Sequence, residues 1–474
     1  LTPLKRSSEN PIIKAEKPWE VQVAWTSVFR DPQTGKYQMW YQAWNGDRAR
    51  ERTHNSVVAY AESSDGVHFT KPNLGLFQFN DVATTNIVLL SNGGHSYRYA
   101  NSVVHDPRDP DPAKRYKMGY FDWATDEGQE YPGFCVAFSP DGIHWTKHPK
   151  APLLKIAYAD PGLTVPFADE AKAKPWLLSL TMSDAVDIFF DPKRELFTYY
   201  GKMWIDGPEG TMSWKHAMGR SESKDFINWS KPHVVLTPDD HDPPHVEFHT
   251  SPVFFYKDVY FCLNQILDRS TGGGVIDIEL MTSRDGLTWE RPFRGEPFLS
   301  RAEGGAFDSG SLFVSTPPVV LEDELRFYYG AHKEGATHHA DFYSVTTGIG
   351  LATLPLDRFA GIQPIARAGQ GALPASPRER VGQVTLKPID FRAVSGISLN
   401  ADASHGAIRV ELLDADGNRV RGFGREDTVP LTGDSPRHEV KWNGKALADL
   451  PPGMYMPRIH LESATVYALD LFGT

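Results

Sequence analysis

One nine-residue phrase, Ser64-Asp65-Gly66-Val67-His68-Phe69-Thr70-Lys71-Pro72, recurs along the chain and decides the fold. Related copies lie at residues 139–147, 223–232 and 283–292. Their aromatic residues stand at positions 69, 145, 229 and 289, which are 76, 84 and 60 residues apart. The Asp-Gly pair predicts a tight turn with positive φ. The Trp or Phe that follows is predicted to pack between neighbouring sheets.

A second phrase precedes each copy and consists of an apolar strand, a turn and an alternating aromatic strand. It is clearest at residues 27–41 and 188–200, and equivalent hairpins begin at 103, 253 and, less regularly, 318. The 36 prolines and 40 glycines fall between short apolar runs, and no long helical periodicity is present. Five units of four strands predict an all-β protein whose first part is a five-bladed β-propeller.

The chain divides into two predicted modules joined by a linker. We place the propeller at residues 1–365, a Gly/Ala/Pro-rich linker at 366–382 and a β-sandwich at 383–474. In the second module Ile408, Val410 and Leu412 alternate with Arg409 and Glu411. This pattern predicts a strand with one buried face and one solvent-exposed face.

Composition excludes several classes of protein. The chain of 474 residues has 60 acidic and 49 basic side chains, a net charge of −11, which argues against a nucleic-acid binder. No apolar run approaches the roughly 20 residues needed to cross a bilayer, so no membrane partner is expected. Cys135 and Cys262 lie in apolar runs and are predicted to be buried free thiols. Oligomeric state stays open.

The phrase Phe29-Arg30-Asp31-Pro32, completed by Gly35-Lys36-Tyr37, together with the two-module layout resembles the furanosidase-like glycoside hydrolases of families 32, 68, 43 and 62. The layout is most similar to family 32. The resemblance implies an exo-acting glycosidase with an oligosaccharide substrate of plant or algal origin. Arabinofuranosides and fructofuranosides are the first substrates to test. Such a role fits a periplasmic or extracellular location, with a signal peptide already removed before Leu1.

The first strand departs from those families. Families 32 and 43 carry a catalytic Asp there, whereas residues 21–27 of this chain contain no carboxylate and only Glu20 stands at the strand's start. We therefore aligned the five units on their turn residues, and stepping back seven positions gives Ala24, Tyr99, Asp184, His249 and Ser315. Inner strands of a propeller converge on its axis, so these side chains are predicted to surround one funnel.

Glycoside hydrolysis uses two carboxyl groups, one protonated and one ionised. We assign Asp184 as base or nucleophile and Glu247 as general acid, because the resembled families place their acid Glu near the fourth blade. His249 is expected to tune that acid or bind a hydroxyl, and Asp308, in a Gly-rich loop, is a further catalytic candidate. Structural roles in turns or loops are the alternatives for all three acids.

Five more residues are predicted to bind substrate through stacking or hydrogen bonds: Glu20, Trp25, Arg48, Tyr99 and Asn101. No metal site is expected, because Pro243-Pro244 prevents the helix that the His241, His245 and His249 spacing would need, and a metal site built from loops is the alternative left open. No cofactor is expected, and a structural calcium ion on the propeller axis is left open.

Two other functions compete with the hydrolase. The missing first-strand Asp would also suit a non-catalytic carbohydrate-binding propeller. A polysaccharide lyase would use His249 and a tyrosine such as Tyr99 for proton abstraction from a uronate, with an arginine against its carboxylate. A lyase product absorbs ultraviolet light and a hydrolase product does not.

Overall fold

The computed structural model describes residues 1–94, 99–126, 129–155, 182, 184–205, 215–271, 273–315, 317–336, 343–365 and 380–473. Strands take up 51% of the described residues and helices 2%, which confirms the all-β prediction. The helices that can be described are single 3-10 turns at Arg52–His54, Pro112–Lys114 and Leu447–Asp449. Within these ranges we find no helix with the length and apolar character of a membrane span. Cys135 and Cys262 are buried and free, as predicted.

The chain opens with two short strands, β1 (Lys5–Arg6) and β2 (Ile13–Lys14). Three antiparallel meander sheets follow. The first sheet contains β3 (Gln22–Arg30), β4 (Tyr37–Trp44), β5 (Ser56–Ser63) and β6 (Ile87–Leu90). The second contains β7 (Tyr99–His105), β8 (Tyr116–Asp126), β9 (Gln129–Ser139) and β10 (Thr146–Lys147), with β11 (Leu154–Lys155) also on β9. The third contains β12 (Asp187–Asp191), β13 (Leu196–Ile205), β14 (Lys215–Ser223) and β15 (His233–Leu236).

A ten-stranded sheet consists of two further meanders. The first has β16 (Val246–Phe248) and β17 (Val253–Tyr256), both paired with β18 (Val259–Asp268), and then β19 (Val275–Ser283). The second has β20 (Ser311–Val314), β21 (Val319–Val320), β22 (Glu324–His332) and β23 (Thr347–Pro355). A single parallel pair, Ile276 with Ser311, joins the two meanders. The opening strands β1 and β2 pair with β23, so the beginning of the chain completes the last meander.

Residues 4–319 and 326–353 form one compact unit in which the first strands of successive sheets are neighbours. β3 contacts β7, β7 contacts β12 and β12 contacts β17. The partner strand of β17, β18, contacts β20, and β20 contacts β3 again. Two serines fasten these strands: the Ser27 hydroxyl accepts the Val103 N–H at 3.1 Å, and the Ser102 hydroxyl accepts the Ile188 N–H at 2.8 Å. The contacts therefore run in a closed cycle.

The repeated phrase forms the same turn in all four copies. Its Asp carboxylate accepts the backbone N–H groups two and three residues later, at 2.7–2.9 Å, in an Asx turn. The residue after that Asp has positive φ as predicted: +74° at Gly66, +79° at Gly142, +66° at Phe226 and +70° at Gly286.

Each turn is also held by the sheet next to it. The Trp40 indole donates to the Gly142 carbonyl at 2.6 Å, and the Tyr200 hydroxyl donates to the Gly286 carbonyl at 2.6 Å. The Tyr328 hydroxyl does the same for Gly66 at 2.8 Å. The aromatic residue of each copy packs edge-on against the same neighbouring sheet, in the pairs Trp145–Trp40, Trp289–Tyr200, Phe69–Tyr328 and Trp229–Phe134. The predicted packing between sheets is confirmed.

Residues 1–3, 320–325 and 354–474 form the second compact unit. Its sheet contains β24 (Val381–Thr385), β25 (Ile389–Asp390), β26 (Val394–Asp414), β27 (Leu431–Glu439), β28 (Met454–Glu462) and β29 (Thr465–Gly473). The 21-residue β26 pairs with β27, β28 and β29 in turn. Of the predicted linker, only residues 380–382 lie within the described ranges.

The predicted alternation of buried and exposed residues in β26 is found for the apolar residues but not for Glu411. Ile408, Val410 and Leu412 are fully buried, as expected for the core face. Glu411, expected on the solvent-exposed face, is also buried. It accepts from Arg419 at 3.0 Å and from His460 at 3.0 Å, and those side chains cover it. A buried carboxylate is tolerated there because it has charged and hydrogen-bonding partners.

The turn geometry predicts a graded cost for added methyl groups. Gly142 and Gly295 both have φ of +79°, but a Cβ at Gly142 would lie 2.5 Å from the Trp40 ring, whereas one at Gly295 would meet nothing within 4 Å. We expect Gly142→Ala to lower the free energy of unfolding by about 1–3 kcal/mol more than Gly295→Ala, because only the first adds overpacking to backbone strain. Urea denaturation of the two variants measures this, and equal losses would contradict the turn's role in holding the sheets.

Candidate functional site

Asp184 lies in the bend before β12 and forms an ion pair with Lys202 of β13. Lys202 Nζ is 2.6 Å from Asp184 Oδ1, and the lysine side chain is 10% exposed whereas that of Asp184 is 35% exposed. Burial raises the pKa of Asp184, but the Lys202 ammonium, with smaller contributions from His249 and His216, outweighs burial and lowers it below its usual range. Asp184 is therefore ionised at neutral pH.

Glu247, in the middle of β16, is a buried carboxylate with both oxygens occupied. Oε2 accepts the backbone N–H of His216 at 2.9 Å and lies 2.6 Å from Nδ1 of the same residue. Oε1 accepts from Nε of Arg269. Burial raises the pKa of Glu247, but the contacts with His216 and then Arg269 lower it to about 2.

These contacts bear on the predicted role of Glu247. A general acid must be protonated at the working pH, which usually requires a raised pKa. The donors around Glu247 favour its ionised form instead. In the free protein this side chain has the electrostatics of a fixed anion, and no described contact holds a proton on it.

His249 follows β16 and packs into the same region. Its Nδ1 lies 3.0 Å from Oε1 of Gln265, and its side chain is almost fully buried. Burial, then the positive charge of Lys202, lowers the pKa of His249 to about 3. His216 is neutral for a similar reason, since burial lowers its pKa despite its contact with Glu247.

Trp25 reaches the same group of residues through an irregularity in β3. The pairing of β3 with β4 shifts register between Ala24 and Thr26, and Trp25 takes a φ of +32° at this bulge. Its ring lies 4.7 Å from Phe313 and 6.5 Å from His249, measured between ring centroids. The indole Nε1 is buried and has no hydrogen-bond partner among the described residues. Among the predicted substrate-binding residues whose side chains are described, Trp25 contacts this cluster.

Two other predicted site acids have structural partners instead. Asp308 accepts from Arg6 at 2.7 Å and from the Tyr329 hydroxyl at 2.9 Å. Glu20 accepts from the Tyr41 hydroxyl at 2.6 Å and from Lys71 at 2.7 Å. Both side chains are buried in these networks, which tie them to the first residues of the chain and to β4.

Arg48 and Asn101, two more of the predicted binding residues, have other partners. Arg48 is exposed and stacks on Tyr343, with 5.0 Å between the guanidinium carbon and the ring centroid. Asn101 is buried between β7 and β4, where its amide donates to the Trp40 carbonyl at 3.4 Å. The side chain of Tyr99 lies outside the described residues.

Four residues of the cluster were missed by sequence reasoning: Lys202, His216, Gln265 and Arg269. Lys202 had a signal, because it interrupts the buried aromatic run of β13, where an unpaired charge would be costly. His216 stands at the start of β14 and packs against Trp204, with 3.8 Å between ring centroids. Nothing in its local pattern marks it as a partner of Glu247, 31 positions away.

The predicted absence of a helix around the histidine-rich segment holds, since residues 239–249 form turns and β16. His245 pairs with Asp268 at 3.3 Å. No group of three or more His, Cys, Asp or Glu side chains within the described ranges is arranged to hold a metal ion.

No family model and no curated protein matches this chain. Several solved structures do. An N-acetylgalactosamine deacetylase from F. plautii, in complex with blood group B trisaccharide, is 18% identical over 75% of this chain and 96% of its own, with a TM-score of 0.47. A thermostable family-43 glycoside hydrolase is 16% identical over 69% and 88%, at 0.44. A family-43 arabinoxylan arabinofuranohydrolase from Bacillus subtilis is 14% identical over 100% and 99%, at 0.42. Likeness at this level says nothing of substrate.

The Asp184–Lys202 pair makes a direct prediction. In Lys202→Met the charge that lowers the pKa of Asp184 is lost, so burial dominates and the pKa should rise above its usual 3.8. Carbon-13 NMR of the aspartate carboxyl groups measures the titration. Lys36→Met, which removes the partner of Glu62 in an exposed pair, is the control and should leave Asp184 unchanged. An unchanged Asp184 titration in Lys202→Met would disprove the pairing.

Glu247 should make stability depend on pH. Its pKa in the folded protein, about 2, is below its usual 4.5, so its ionised form stabilises the fold above pH 4.5 and that contribution is lost as the pH falls toward 2. Glu247→Gln should therefore be much less stable than the wild type at pH 7, with the gap narrowing at pH 3. Denaturation curves at both pH values test this, and a gap of constant size would contradict the ionised Glu247.

Proposed function

We propose that residues 4–319 and 326–353 form a five-bladed β-propeller and that residues 380–473 form a β-sandwich. The closed cycle of contacts through β3, β7, β12, β17, β18 and β20 supports the propeller, as do the repeated turns held by a neighbouring sheet. In this assignment β16 to β19 are the fourth blade and β20 to β23, completed by β1, are the fifth. The long β26, which pairs with three strands, supports a two-layered second module.

We propose that the chain is a glycoside hydrolase that acts on an oligosaccharide, with furanosides as the first substrates to test. One observation carries this: Asp184 and Glu247, which precede or begin the first strands of neighbouring blades, share a buried cluster with His216, His249 and Lys202. Two carboxylates with neutral and cationic donors around them suit binding and cleavage of a polyhydroxylated substrate. Such chemistry needs no cofactor.

Asp184 already has the ionisation state that its proposed role requires, whereas Glu247 does not. Asp184 is ionised and one third exposed, as a base or nucleophile must be. Glu247 would serve as the acid only if substrate displaced one of its donors, Arg269 being the more exposed of the two. Protonation of Glu247 would then accompany binding.

A non-catalytic carbohydrate-binding protein is the second candidate. The observation that favours it is the saturated, ionised Glu247, because a site without a protonated acid can bind a sugar and leave it intact. The aromatic face of Trp25 beside His249 suits both functions.

Product analysis against plant and algal oligosaccharides tests the proposal. We expect the wild type to release a monosaccharide, and Asp184→Asn and Glu247→Gln each to lower kcat by at least about 100-fold, as loss of a general acid or base does. Asp81→Asn, in an exposed pair with Arg50, is the matched control and should keep full activity. Binding without release would favour the second candidate, and a product that absorbs ultraviolet light would mean a lyase.

The pH dependence of kcat/KM tests the role of Glu247. This parameter reports ionisation in the free enzyme. If Glu247 is the acid, its pKa of about 2 means that kcat/KM should rise as the pH is lowered from 7, until Asp184 is protonated or the fold is lost. A level profile between pH 5 and 8 would show that the proton comes from another group.

A further inference from the structure

The hydrogen-bond network assigns one tautomer to His249. The amide of Gln265 donates from Nε2 to the Val314 carbonyl at 3.1 Å, which turns its Oε1 toward His249. An amide oxygen only accepts, so His249 Nδ1, 3.0 Å away, must carry the proton. Because the neutral ring has a single N–H, Nε2 of His249 is left with a lone pair.

For His216 the argument is one of close contact. Its Nδ1 lies 2.6 Å from the Glu247 carboxylate, in ion-pair contact although it is not aligned as a hydrogen bond, and two lone pairs at this distance would repel each other. The proton is therefore on Nδ1, and Nε2 again carries the lone pair. His216 of β14 and His249, which follows β16, are thus each held in one orientation and one tautomer by a partner at Nδ1.

Neither Nε2 atom has a hydrogen-bond partner within the described part of the chain, and neither is among the buried polar atoms without partners. A little of each ring edge is thus open to solvent although both side chains are nearly buried. The cluster offers acceptors there: two imidazole nitrogens and the partly exposed Asp184 carboxylate.

Among the described side chains of the cluster, the charges are balanced. Lys202 is paired with Asp184, and Arg269 is paired with Glu247. Both histidines are neutral. An anionic group on a sugar would therefore meet acceptor nitrogens and paired cations, whereas a hydroxyl group could donate directly to a lone pair.

We propose that Nε2 of His216 and Nε2 of His249 accept hydrogen bonds from two sugar hydroxyl groups, with Glu247 and Gln265 as the residues that fix the two tautomers. The site then selects a neutral, hydroxylated sugar over a uronate or sulfated sugar. This rests on the carbohydrate substrate of the proposed function, but not on cleavage. A site that accepts from a hydroxyl rejects an analogue that lacks it, because a buried acceptor is left unpaired.

The tautomers are measured first, without any ligand. Nitrogen-15 NMR of the uniformly labelled full chain should show His216 and His249 at neutral pH with the proton on Nδ1. Gln265→Leu, which removes the acceptor from His249, should mix its tautomers and leave His216 as it was. Gln78→Leu, an exposed glutamine, is the control. A proton on Nε2 of either histidine in the wild type would overturn the assignment, whatever the variants do.

The sugar is tested with a defined set of probes: methyl arabinofuranoside, methyl fructofuranoside, methyl galactopyranoside, their monodeoxyfluoro derivatives and galacturonic acid. We expect one neutral glycoside to shift both Nε2 resonances and to bind at least about tenfold tighter, by calorimetry, than galacturonic acid. Fluorine accepts but cannot donate, so replacing either contacted hydroxyl should weaken binding about tenfold or more. Fluoro sugars that bind as well as their parents, tighter binding of galacturonic acid, or unmoved Nε2 resonances with every neutral probe would overturn the proposal.

Failure of the hydrolase and failure of this inference have different signatures. If neutral sugars shift both Nε2 resonances but are never cleaved, the hydrolase proposal fails and the binding of sugar hydroxyl groups by the two histidines stands. Sugar release from an oligosaccharide with both Nε2 resonances unmoved would support the hydrolase and overturn the proposed role of the two histidines.

Discussion

The first compact unit depends on one contact made repeatedly: a turn carbonyl of one sheet accepts a hydrogen bond from an aromatic side chain of the sheet before it. Trp40 makes it to Gly142, Tyr200 to Gly286 and Tyr328 to Gly66. The carbonyl faces the neighbouring sheet because the turn residue takes a positive φ, and the Asp before it holds that turn by its own hydrogen bonds. These hydrogen bonds join the first sheet to the second, the third to the meander of β16 to β19, and the meander of β20 to β23 to the first. The ring contact of Trp229 with Phe134 joins the third sheet to the second.

Because these contacts hold the sheets, the residues that precede the first strands are not needed for packing and can have functional roles. The outer turns and the serines on the first strands fix the sheets. The residues before those strands therefore need not pack in the same way in every sheet. Asp184 and His249 occupy such positions, and Trp25 gains its place through a bulge. Polar and strained residues concentrate where the regular contacts end, as functional sites commonly do.

Sequence reasoning found what repeats and missed what does not. The turns and their aromatics recur four times, so spacing alone predicts them. Asp184 and His249 were found because the repeat supplied a register. Lys202 and His216 belong to second and third strands, whose charged residues follow no repeat. Asp308 and Glu20 stay predicted site residues, but the sequence did not show that their carboxylates pair with Arg6 and Lys71.

The role of Glu247 turns on electrostatics that a residue list does not contain. Burying a carboxylate is costly unless its lone pairs are satisfied, and here both oxygens are, by His216 and Arg269. The satisfaction that makes Glu247 tolerable in the fold also makes its protonation unfavourable. The same contact leaves the far nitrogen of His216 as a lone pair. A group that is too well held to give up a proton can still act, by fixing the orientation of the ring beside it.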